Sequence, residues 1–68
     1  MKQNNAHAIR NLQMLIALRL DEKADLKKII ADDYESAAQK SFARARLAEL
    51  ERDDASDLAD LERLKAEE

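Results

Sequence analysis

The chain has 68 residues, 40% of them charged, with a formal charge of −3 and no cysteine, glycine or proline. That composition excludes disulfides, thiolate metal sites and glycine-dependent calcium loops, and its Ala, Leu, Glu, Lys, Arg and Asp bias is the one found in long helices. A single domain this small buries too little surface to be comfortable alone, so a homo-oligomer is expected.

Charge is uneven along the chain. Residues 1–20 hold Lys2, Arg10 and Arg19 and no acid, whereas residues 53–68 carry seven acids against Arg63 and Lys65. Such a field can orient packed copies or steer a charged partner. The apolar run Leu12–Leu20 is interrupted by Gln13 and Arg19, with no cleavage-like site after it, and is too short to span a bilayer. No membrane span is therefore expected, and the cytoplasm is the expected location.

In chain order, residues 1–5 are polar and read as a frayed start, with Asn4 or Asn5 available as a helix cap. From Ala6, the residues Ala8, Ile9, Leu12, Leu15, Ile16 and Leu20 fit a helical face that Met14 and Leu18 widen. The alternation Leu12, Met14, Ile16, Leu18, Leu20 also permits a strand. Composition favours a first helix over 6–20, because Ile16 is the only β-branched residue from Leu12 to Leu20. Leu20-Asp21-Glu22-Lys23 reads as a turn or a helix restart, with Asp21 able to cap the amides after it.

A central helix is expected over 22–52. Its stripe is Leu26, Ile30, Tyr34, Ala37, Ser41, Ala45 and Ala48, large residues giving way to small ones that admit a close neighbour. A reversal at Asp21 would lay the first helix antiparallel on this stripe; without it, one rod would begin near Ala6. At 51–57 two readings stay open. Either a loop ends the helix and Ser56 or Asp57 caps a last helix over 56–67, or the helix continues and sets Leu47 and Leu50 eleven residues before Leu58 and Leu61, on a shared face.

Chemistry is sparse in this sequence. His7, the only histidine, has no acid or cysteine near it in sequence to orient it, and the serines lack the glycine-rich surroundings of a nucleophile. Ser36 and Ser56 read as caps or surface residues, and Ser41 as a small packed one. The acids at helical spacings (Asp21 and Asp25; Glu49, Asp53, Asp57 and Asp60) read as a solvated face, since no Glu-x-x-His pair accompanies them. Lys40, Arg44, Arg46 and Arg52 read as salt-bridging surface residues. Neither a catalytic centre, a metal site nor a cofactor is expected. Tyr34 and Phe42, the only aromatics, read either as interface anchors or as core of the oligomer, a choice left open for Tyr34 and resolved towards core for Phe42.

Two stretches resemble known families. Leu18-Arg19-Leu20-Asp21-Glu22 looks like the strand-to-helix junction of ribbon-helix-helix repressors, which implies a strand reading DNA. The Gly-x-Ser turn of that family is missing, and only Gln13 and Arg19 would be polar on the reading face. Asp21-Glu22-Lys23-Ala24-Asp25-Leu26, with Asp32 and Ala43-Arg44, is similar to the start of the second helix in plasmid copy-control hairpins, which implies binding to paired RNA loops.

The sequence thus predicts an all-α fold, a helical hairpin or bent helix pair with coiled-coil character, assembled as a homodimer or larger bundle. The expected oligomer interface is Leu12, Ile16, Leu26, Ile30, Ala37, Ser41, Ala45 and Ala48. The expected function is non-enzymatic: an adaptor, inhibitor or assembly factor binding a protein partner through Tyr34, Arg44, Leu58, Leu61 and Leu64. The alternative is a nucleic-acid-binding regulator using Lys2, Arg10 and Arg19, and a third reading lays residues 6–20 on a membrane surface as an amphipathic helix.

Overall fold

A computed structural model describes residues 5–67. They form an antiparallel hairpin of two long helices, α1 (Ala6–Ala31) and α2 (Ala37–Ala66), joined by a short turn. Among the described residues there is no strand. The Leu12–Leu20 run is helical, so the strand implied by the ribbon-helix-helix resemblance is absent.

At the two places where the sequence left a break or a continuous helix open, the helix continues. Helix α1 runs straight through Asp21, which is exposed on its outer side, and α2 runs through residues 51–57. Without Gly or Pro nothing locally opposes helix at either place. The residues that resemble the start of a second helix in the copy-control hairpins, Asp21–Leu26, therefore sit well inside α1.

The reversal comes instead at Asp32–Ser36. Asp32, extended at φ −79° and ψ 115°, ends α1, and its carboxylate accepts a hydrogen bond from the Tyr34 amide at 2.9 Å. Ser36, also extended, then caps α2 by accepting from the Gln39 amide at 3.2 Å. Side-chain acceptors here do the work that glycine does in other turns. Lys28 in the last turn of α1, and Arg63 and Lys65 in that of α2, complement the helix dipoles.

The inward residues of both helices follow one rule. On α1 they are Asn5, Ile9, Leu12, Ile16, Arg19, Lys23, Leu26 and Ile30; on α2, Lys40, Ala43, Leu47, Leu50, Asp54, Asp57, Leu61 and Leu64, all buried or half-buried. Successive members lie alternately three and four residues apart, the heptad spacing of a coiled-coil seam. Near the turn, Leu26, Ala43 and Leu50 are 7%, 0% and 2% exposed, with Ile29, Ile30 and Leu47 packed against them. Towards the open end lie Leu61, which is buried, and Ile9, Leu12, Ile16 and Leu64, which are half-buried. Asn5 closes that end. It is buried, and its Nδ2 donates to the Leu64 carbonyl at 3.2 Å, so it ties the helices together and makes no side-chain cap. Lys2 and Asn4 lie outside the described residues.

The stripe from Leu26 to Ala48 is therefore not one helical face. Leu26 and Ile30 are on α1, Tyr34 is in the turn, and Ala37, Ser41, Ala45 and Ala48 are exposed on α2. The same chain reversal that buries Leu26 and Ile30 against α2 turns the small residues outward.

Candidate interaction faces and the ion cluster in the seam

Between the two apolar blocks each helix contributes one charged heptad step, Arg19 and Lys23 from α1, Asp54 and Asp57 from α2. Arg19 donates to Asp54 at 3.2 Å and to Asp57, and Lys23 donates to the other Asp54 oxygen at 2.7 Å. Asp54 is only 6% exposed, yet both its oxygens are paired. A charge withdrawn from water is tolerable only on such terms. The hydrogen bond from Lys23, assisted by that from Arg19, holds the Asp54 carboxyl below its ordinary value against the opposing push of burial. The Asp57 hydrogen bond, with Asp54 behind it, raises the Arg19 pKa.

A second pair clips one edge of the seam. Arg46 grips Glu22 with two hydrogen bonds, Nε to Oε2 at 2.7 Å and Nη2 to Oε1 at 3.3 Å, and also pairs with Glu49 at 3.2 Å. The hydrogen bond from Arg46 lowers the Glu22 pKa. A two-pronged guanidinium fixes orientation as well as charge.

These contacts redistribute the residues that the sequence nominated. Leu12, Ile16, Leu26 and Ile30 belong to the intramolecular seam. Of the expected partner ridge, Leu61 is buried and Leu64 half-buried between the helices, which leaves Leu58 on the surface; Arg44, about four turns away on α2, is exposed too. Tyr34 stands 99% exposed at the turn. Phe42, read from sequence as core of an oligomer, is exposed on the single chain as well and lines a shallow hollow with Ser36, Ala38 and Gln39. Ser41, expected to pack, is exposed. Arg19 is committed to the seam, whereas Arg10 is exposed. Asp57, read from sequence as part of a solvated face, is half-buried with Arg19.

Of the large apolar side chains that the hairpin leaves outside, most are on α1: Met14, Leu15, Leu18 and Leu20 are all exposed, Leu18 by 64%. Among the described residues no group of three or more His, Asp or Glu side chains is placed to hold a metal ion, and no helix is long and apolar enough to cross a membrane. The fold and these faces define an antiparallel two-helix hairpin with an ion cluster across its seam. No family model, curated protein or solved structure matches the chain.

Proposed function

We propose that the protein is a non-enzymatic helical interaction module, an adaptor, inhibitor or assembly factor that works by helix–helix contact with other protein chains, a second copy of itself included. The observation that carries this reading is the exposure of Met14, Leu15, Leu18 and Leu20 after the hairpin has formed its own core. Three of them, Met14, Leu15 and Leu18, share the outward side of α1, with Leu20 on its other flank, and form the kind of surface that is covered in a working complex. Tyr34 and Leu58 are further exposed contacts for a partner, the tyrosine offering a large rigid surface for little lost entropy.

Light-scattering mass across a dilution series, paired with titrations of DNA and RNA at two salt concentrations, tests it. The expected result is a mass of two or more chains and no salt-sensitive nucleic-acid binding. A chain that stays monomeric yet binds nucleic acid with an affinity falling steeply with salt would overturn the reading in favour of a regulator.

A further inference from the structure

Resting on that reading, we propose that α1 is the self-association face and that the second copy lies along it with its own α1 antiparallel. Helix α1 carries two heptad series. The first, Ile9, Leu12, Ile16 and Arg19, faces α2. The second, Ala8, Asn11, Leu15 and Leu18, has the same three-four spacing one residue earlier, flanked by Met14, and it is exposed throughout. A series of this kind is a coiled-coil seam that lacks a partner.

The partner that fits it is another α1. The outward positions of α2 mix small and charged residues (Ala45, Glu49, Arg52, Ser56, Ala59, Arg63), and its exposed large apolar side chains, Phe42 and Leu58, are sixteen residues apart and make no comparable run. Charge then chooses the direction. The exposed stripe has Arg10 at one end and Asp21 and Asp25 at the other, all exposed. None of these three takes part in an ion pair among the described residues, whose seam and edge pairs use Arg19, Lys23, Arg46, Glu22, Asp54 and Asp57.

With Leu15 of one copy opposite Leu18 of the other, an antiparallel pair places Arg10 between Asp21 and Asp25 of the second copy, twice by symmetry. A parallel pair would set Arg10 on Arg10 and the acids on the acids. The antiparallel arrangement is also a closed two-fold contact, in which one patch serves both chains.

The sequence has no cysteine, so one introduced label reads the orientation. Tyr34→Cys, at a fully exposed turn position, is spin-labelled and the distance between labels measured in the full-length protein. The two turns lie about 50 Å apart if the α1 helices are antiparallel, from ~1.5 Å of rise per residue, and close together if they are parallel. In parallel, Leu18→Glu is weighed by light scattering, with helicity checked by circular dichroism and Ala48→Glu on α2 as the control. We expect a dimeric wild type, the long distance, a dimer at least tenfold weaker for Leu18→Glu with helicity retained, and no change for Ala48→Glu. A dimeric wild type with a short distance, or with Leu18→Glu still dimeric, overturns the α1 seam and leaves the interaction module standing. A wild type monomeric at the highest concentration overturns self-association altogether.

Discussion

Asp54 is the residue on which the hairpin's electrostatics turn. It sits at a seam position where a coiled coil ordinarily places leucine, and it is kept ionised by Lys23 and Arg19. Its carboxyl is held below the ordinary 3.8, and that of Glu22 below 4.5. A carboxylate with a depressed folded pKa contributes stability that is fully present above the unfolded value and lost as pH falls through the folded one. Thermal midpoints should therefore be flat near neutrality and fall once pH drops below about 4.5, continuing downward as the lowered folded values are passed. Asp54→Asn should lower the midpoint at pH 7 by roughly 5 °C or more and shrink this acid limb, so that the two proteins converge at the lowest pH. Equal acid limbs in both would remove Asp54 from the account. Composition alone did not show this residue, because an aspartate among Asp53, Asp57 and Asp60 looks like any solvated acid. Its signal was positional: Leu47 to Leu61 and Leu50 to Leu64 are each two heptads, and Asp54 and Asp57 fill the steps between.

The two helices are written as complements of one another. Leu12 and Ile16, then Arg19 and Lys23, then Leu26 and Ile30 meet Leu61 and Leu64, then Asp57 and Asp54, then Leu47 and Leu50. A purely apolar pair of helices could slide by a heptad at little loss; a slide here would set cations against leucines and leave both carboxylates unpaired in the seam. The ion layer thus fixes register more than it adds stability. Replacing Arg19, Lys23, Asp54 and Asp57 together by leucine should raise the thermal midpoint while broadening the amide spectrum or the mass distribution, as several registers and assemblies become accessible. Reversing only one side, Arg19→Asp with Lys23→Asp, should unfold the hairpin at neutral pH, and adding Asp54→Lys with Asp57→Arg should restore much of the helicity seen by circular dichroism.

At the same scale, the helical character of both segments was readable from composition and period, but the turn was not. Asp21-Glu22-Lys23 and Asp32-Asp33-Tyr34-Glu35-Ser36 each begin with a capping residue. What selects the second is the tertiary match of the heptads on either side of it. Ser36→Ala tests the local part of that turn: loss of the bond to Gln39 should cost about 1 kcal/mol, a drop of about 4–8 °C in the thermal midpoint.

For the whole molecule the balance is lean. The apolar side chains buried within the hairpin are Leu26, Ala43, Leu50 and Leu61, and the rest of the seam is half-exposed or ionic. A thin pair of helices always leaves its outer faces in water, so further burial must come from outside the chain. The apolar half of α1 is where that burial is available, and a second copy covering it, as proposed above, would make stability depend on concentration. When the folded state is a dimer and the unfolded state a monomer, a hundredfold increase in protein adds about 1.4 kcal/mol per chain to the folded state by mass action, which for a domain of this size shifts the midpoint by roughly 5–10 °C. Midpoints recorded from 2 to 200 µM should climb by that amount for the wild type and stay level for Leu18→Glu. A level wild-type series would mean that the hairpin stands alone with Met14, Leu15 and Leu18 in water and that its small core suffices without a second copy, which would overturn self-association through α1.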